Sequence, residues 1–161
     1  MTSTALLIQK GEAYLMEEVF EPAIKYLSQA IARDSNSVRA LCSRAEAYYR
    51  KALACSGKSG RVKQTRSELL DFALADIKRA VQLAPDYLEA YSGLGSIYFE
   101  MEEYQKAIEV YGLALKIAPN NLNYYYNQAM AHVRLKDWNN ALRLLTVIIG
   151  LEPGNAEAFF E

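Results

Sequence analysis

This sequence is poor in the residues that most site chemistry depends on. It has one histidine, His132, and two cysteines, Cys42 and Cys55. Those three cannot supply a four-ligand Cys/His zinc site, and two cysteines cannot make a disulfide framework. A reducing compartment suits them best. Charge of neither sign dominates either: 18 Lys and Arg stand against 19 Asp and Glu, a formal net charge of -1 with a pI near 5.9. That balance gives no whole-chain pull toward nucleic acid or an anionic membrane. No apolar run reaches the ~18 residues that a membrane span requires, and Met1-Thr2-Ser3-Thr4 carries no positive n-region. The expectation is a soluble, cytoplasmic protein without a membrane partner. What is present is apolar surface: 161 residues, 52% hydrophobic and 23% charged, are too apolar for disorder and enough for one ordinary domain.

The organising feature is a repeat. Pro85, Pro119 and Pro153 stand 34 residues apart, and a fixed period in this range marks a stacked array. Between the prolines run Tyr91-x2-Leu94-Gly95-x2-Tyr98, Ala107-x3-Tyr111 and Pro119. A looser copy follows as Tyr125-x2-Gln128-Ala129-x2-His132, Ala141-x3-Leu145 and Pro153. An earlier copy reads Leu7-x2-Lys10-Gly11-x2-Tyr14 and Ala23-x3-Leu27, with Ser35 in the proline position. Another opens as Leu41-x2-Arg44-Ala45-x2-Tyr48 and closes as Ala73-x3-Ile77 and Pro85. Ala45 and Gly95 are 50 residues apart, which is the 34-residue period plus an insertion of 16.

This spacing, with Tyr in place of Trp and Phe, resembles the tetratricopeptide repeat family over nearly the whole chain. The resemblance implies an all-α, right-handed superhelical solenoid of about four helix-turn-helix units. Their expected limits are 4–37, 38–87 with the insertion near 52–67, 88–121 and 122–155, with a fifth unit starting at 156–161.

The physical pattern agrees. Ala107, Tyr111, Ala114 and Leu115 fall on one face of a helix. Small residues stand where paired helices must approach: Gly11, Ala45, Gly95 and Ala129 on first helices, Ala23, Ala73, Ala107 and Ala141 on second helices. Overpacking there would cost ~1–3 kcal/mol per site. Asp86-x-x-Glu89 and Thr65-x-x-Glu68 have capping-box form, and Pro119 and Pro153 end helices. Most of the 12 tyrosines are read as packing.

The candidate chemistry is thin. Ala52-Leu53-Ala54-Cys55-Ser56-Gly57-Lys58-Ser59 ends like a phosphate loop, but the first glycine is missing and the preceding segment is helical in pattern, so no nucleotide cofactor is expected. His132 takes the packing place held by Tyr14, Tyr48 and Tyr98, and the register keeps it far from Cys42 and Cys55. Nucleophilic catalysis lacks its parts. No catalytic, cofactor or metal residue is assigned, and the chain is read as no enzyme. Cys42 is expected in the groove, and Cys55 belongs to the insertion.

The insertion carries Lys58, Arg61, Lys63 and Arg66 with two glycines. It reads as a basic loop between an extended first helix, through Leu53, and a second helix restarting near Ser67. It is either a solvated excursion or a site for an acidic partner. RNA binding through it is disfavoured, because such binding rests on many phosphate contacts and the domain is not basic.

Stacked helix pairs offer a concave groove lined by their first helices. The resemblance implies groove-facing positions that include Tyr49, Arg50, Phe99, Tyr126, Asn127, Met130 and Arg134, and a protein or peptide partner. The family's carboxylate clamp for chaperone tails is not matched: where Lys and Asn are needed, the four units carry Ile8 and Glu12, Cys42 and Glu46, Ser92 and Ser96, Tyr126 and Met130. The alternative is structural, a segment of a longer solenoid or oligomer. Repeat arrays need a polar terminal face, yet Leu145, Ile148, Ile149, Phe159 and Phe160 crowd the C-terminal end. Self-association there is the second expectation.

Overall fold

The computed structural model describes residues 3–55 and 60–151, and side chains within residues 60–64 are not described. Among the described residues there are eight helices and no strands. They run α1 (Thr4–Met16), α2 (Phe20–Arg33), α3 (Val38–Ala54), α4 (Gly60–Leu83), α5 (Leu88–Glu100), α6 (Tyr104–Ile117), α7 (Leu122–Arg134) and α8 (Trp138–Leu151). Each odd-numbered helix packs on the even one that follows, each even helix on the next odd one, and α3 touches both α1 and α5. The chain is a solenoid with the odd helices in one layer.

The starts of α1, α3 and α7 are set by short polar side chains. Ser3 Oγ accepts the Leu6 amide, Ser37 Oγ the Ala40 amide, and Asn121 Oδ1 the Asn123 amide, each satisfying a donor the helix itself leaves open. The capping box read at Asp86-x-x-Glu89 is not made: Tyr87 is the N-cap of α5 and caps it with no side chain. Thr65-x-x-Glu68 lies inside α4 and starts no helix.

Three of the four turns between paired helices share one device. Val19, Glu103 and Asp137 donate backbone N–H to Tyr14, Tyr98 and His132 carbonyls at 2.9 Å, and the preceding residues, Glu18, Glu102 and Lys136, have φ of 60°, 62° and 61°. This is a Schellman-type stop built with Glu, Glu and Lys where glycine would be unstrained.

The second pair departs from this plan, and from the sequence reading. The first helix is extended as expected, but the insertion is not a loop as far as residue 67. Helix α3 runs on to Ala54, and α4 begins at Gly60 rather than near Ser67. Val62, Leu69 and Leu70 supply the helical spacing that the glycines masked. Ala52, Leu69 and Leu70 form a small core of their own with Tyr48, Tyr49, Cys55 and Met101 packed on it. Lys58 lies outside the described residues, and Arg61 and Lys63 are in α4.

The main core runs through the last three pairs, with a second cluster in the first pair joined by Ala40 and Ala47. The alanines and glycines at helix crossings are buried, and a Cβ placed on Gly95 would lie 2.4 Å from Tyr111 Cε1. Buried tyrosines are tied at their polar ends: Tyr91 Oη donates to the Pro85 carbonyl at 2.8 Å and Tyr124 Oη to the Leu88 carbonyl at 3.0 Å. Arg44 and Asp76 form a two-point pair at 2.7 and 2.8 Å, with Arg44 also donating to Ser28 at 3.0 Å. That pair joins α3 to α4 and to the preceding α2.

Candidate groove on the odd-helix layer

Two adjoining hollows open on the layer of odd helices. The larger, about 470 Å³, lies between α1, α3 and α5 and is floored by Ala45, Ile77, Gly93 and Ile97. The smaller, about 210 Å³, lies between α3, α5 and α7, and Tyr49 and Ser96 belong to both. The room comes from α5, which presents the small residues Ser92, Gly93 and Ser96 to the groove, with Met130 of α7 at the repeat position of Ser96.

The sequence-predicted groove residues are largely brought together. Tyr49 and Arg50 line the larger hollow; Tyr49, Phe99, Asn127 and Met130 line the smaller one. Arg134 lies over the Phe99 ring, 5.5 Å from its centroid, a cation–π contact. Tyr126 is 45% exposed on α7 and lines neither hollow. Tyr111, on the even helix α6, reaches the smaller hollow from below, with its Oη 3.4 Å from Ser96 Oγ. Sequence reasoning treated it as core. Gly95 was the available signal, since a residue without a side chain on α5 is what lets the ring pass beneath.

Arginines along this face are held by the protein itself. Arg39 makes a two-point pair with Glu12 at 2.8 and 2.6 Å, and Ser43 donates to the same carboxylate at 3.0 Å. These contacts hold the Glu12 carboxyl below the usual range, Arg39 most of all. Arg50 donates to Glu18 at 2.9 Å and to the Leu15 carbonyl at 3.2 Å, with Glu46 farther off at 3.8 Å. Arg66, read as part of a free basic insertion, is bonded to Glu100 at 2.5 Å. Burial, with Glu89 and Asp76 nearby, pushes the Cys42 thiol up to about 12. Burial first, then Glu100 and Tyr111, pushes Tyr49 up to about 12 as well.

The C-terminal face contrasts with the interior. Tyr104, Ile108, Tyr111 and Leu115 of α6 pack into the core beneath α7. Their counterparts one repeat later are Trp138, Leu142, Leu145 and Ile149, of which Trp138 is 61% and Leu142 67% exposed. Leu145 and Ile148 are half-buried and Ile149 is exposed. Phe159 and Phe160 lie outside the described residues. The sequence reading named the distal part of this face and missed Trp138 and Leu142, although both hold stripe positions.

His132 Nδ1 sits 3.0 Å from Asp137 Oδ2 in the last turn, next to no cysteine. Among the described residues no cluster of three His, Cys, Asp or Glu could hold a metal ion. No helix among them is long and apolar enough to cross a membrane.

Comparison with known proteins agrees with this geometry. Models of the tetratricopeptide repeat match residues 88–121 and 124–155. Among curated proteins, 108 residues, 67% of the chain, are 34% identical to Hsp70-Hsp90 organizing protein 3 of Arabidopsis thaliana and 30% identical to the Hsp70-Hsp90 organizing protein of Triticum aestivum. The chain spans only 16% of the length of those relatives. Among solved structures, MamA matches with a TM-score of 0.80 at 22% identity, covering 97% of this chain and 82% of that one. The first such domain of Spaghetti (RPAP3), bound to the HSP90 peptide SRMEEVD, matches with a TM-score of 0.69 at 22% identity, covering 83% and 95%. At those identities the structures speak for the fold. Helix pairs at the repeat spacing, two family-model matches and the curated relatives together show that this chain belongs to the tetratricopeptide repeat family of protein-interaction modules.

Proposed function

We propose that the chain acts without catalysis, as a cytosolic module that takes a peptide segment of a partner protein in the groove between its odd helices. The observation that carries this reading is the pair of joined hollows, the smaller walled by Tyr49, Phe99, Tyr111 and Met130 and the larger ringed by charged and hydroxyl side chains over an apolar floor. That mixture is what a peptide site needs: apolar area for affinity, polar groups for register. A thiol pushed up to about 12 is no nucleophile at neutral pH, which supports a binding role over a catalytic one. The HSP90 tail peptide bound by the RPAP3 domain is not the proposed ligand. A clamp for its carboxylate requires free cations, and here Glu12 stands where the clamp requires Asn and already holds Arg39. Nor is nucleic acid proposed, since Arg66 is spent on Glu100 and the net charge is -1.

The test is a selection of short displayed peptides on the immobilised chain, followed by Phe99→Ala and Met130→Ala, both on the wall of the smaller hollow. Weaker binding by both variants with an unchanged far-ultraviolet dichroism spectrum supports the groove; equal binding by both refutes it.

A second reading concerns the C-terminal stripe. Trp138 and Leu142 are open where every earlier repeat covers the same positions, and an open apolar stripe of this kind marks an interface. This supports self-association through Leu145, Ile148 and Ile149, or docking of a further helix. Light scattering across a concentration series tests it: Leu142→Glu should leave a monomer where the parent chain associates, and a parent chain monomeric at every concentration refutes self-association.

A further inference from the structure

The groove has a sign, and the sign selects its ligand. The two arginines lining the larger hollow are committed to carboxylates across helix boundaries, Arg39 to Glu12 and Arg50 to Glu18, and Arg66 beyond it to Glu100. The carboxylates are not all committed in return. Glu89, on the wall of the larger hollow, has no hydrogen-bond or ion-pair partner among the described residues. Glu46, on the opposite wall, is 57% exposed and shares Arg50 only at 3.8 Å. An incoming anion would meet arginines whose charge is already paired with carboxylates and two further carboxylates facing it from both walls. An incoming cation would meet acceptors with open lone pairs. The local field agrees, since carboxylates, Glu89 foremost, reinforce burial in pushing up both Cys42 and Tyr87, although Arg39 opposes this at Tyr87.

Beside this hollow, sharing Tyr49 and Ser96 with it, lies the smaller one, where Phe99, Tyr111 and Met130 give an apolar wall and Ser96 a hydroxyl. Resting on the groove reading above, we propose that the occupant is a basic peptide segment. It would set a Lys or Arg side chain between Glu46 and Glu89 and an adjoining large apolar side chain against Phe99 and Met130, and it would not be an acidic chain end. The cation is recognised by carboxylates at the rim, where each contact is screened and modest. Area comes from the neighbouring apolar side chain, and the charges supply specificity and orientation.

The experiment selects short random displayed peptides on the full chain at low salt, then measures a recovered peptide by fluorescence anisotropy against the chain and Glu46→Gln/Glu89→Gln. Both glutamates are at the surface, and the dichroism spectrum checks that the fold is kept. The expected result is recovered sequences that pair Lys or Arg with a large apolar residue, binding weakened about five- to tenfold in the double variant, and a shallower salt dependence. Recovery of acidic sequences whose binding Phe99→Ala weakens would overturn the basic ligand and leave the groove reading standing. No enrichment at all, or binding that neither Phe99→Ala nor the double variant changes, would overturn both.

Discussion

Gly95→Ala isolates the close approach of α5 and α6 in a single methyl group. A Cβ on Gly95 would meet Tyr111 at 2.4 Å from Cε1, 2.5 Å from Cζ and 3.0 Å from Cδ1, against an ordinary carbon contact of ~3.5 Å or more. The ring has little room to yield. Tyr111 is 2% exposed, packs on Tyr124 with ring centroids 6.3 Å apart, and holds Ser96. An overlap of about 1 Å with a held ring belongs at the upper end of the ~1–3 kcal/mol range for overpacking. Against it stands the helix preference of Ala over Gly, ~1 kcal/mol. The net expectation is a loss of about 1–2 kcal/mol. Gly112→Ala is the control, because its Cβ would meet only Gln128 Nε2 at 3.4 Å, and it should gain about 0.5–1 kcal/mol from helix preference. Thermal melts followed by far-ultraviolet dichroism should separate the two variants by about 5 °C or more, at ~2–4 °C per kcal/mol for a chain of this size. If Gly95→Ala raises the midpoint as Gly112→Ala does, the close approach is not what this glycine is for.

Three further outcomes follow from contacts described above. Asp76→Ala should cost about 3 kcal/mol in urea unfolding by stranding Arg44, whereas the double variant Arg44→Met/Asp76→Leu should lose less than Asp76→Ala alone; additive losses would refute the coupling. Glu102→Gly should stabilise by about 1 kcal/mol, because φ of 62° strains every residue but glycine; an unchanged melting temperature refutes the strain. Glu12, Glu21 and Asp137 are all held below the usual carboxylate range, chiefly by Arg39, Lys51 and Asn140 respectively. Their folded values lie below their unfolded ones, so their contribution is complete above about pH 4.5 and disappears as pH falls through the folded values. The urea midpoint should therefore drop on that acid limb, and Glu12→Gln should flatten part of it; identical limbs would refute the assignment to Glu12.

The fold was legible because its determinants are local and recur at a fixed spacing. The glycines and alanines at crossings, the tyrosines of the stripe and the prolines after three of the four pairs can all be aligned by eye. The groove was legible to the extent that register alone places a residue, as for Tyr49, Asn127 and Met130. Charge pairing was not legible, because Arg39–Glu12, Arg50–Glu18 and Arg66–Glu100 join residues 27 to 34 positions apart, and only the superhelix says which rows meet. The insertion misled for a related reason: Gly57, Lys58 and Gly60 read as a loop, and the helix that starts at Gly60 is held by contacts of Leu69 and Leu70 with Met101 in the next repeat.

Those contacts also govern how the array comes apart. In a stacked solenoid each unit is stabilised by its neighbours, and terminal units open most readily. Here the lengthened second pair reaches past its own boundary to grip the turn of the third, through Met101 and through Arg66 on Glu100. The first seam is tied as well, by Arg39–Glu12, Arg50–Glu18 and Lys51–Glu21, whereas among the described residues no ion pair crosses from the third pair to the fourth. Under load or slow hydrogen exchange, the fourth pair would peel away first while the first three remain closed as one block, and the larger hollow, bounded by α1, α3 and α5, would keep all three of its walls.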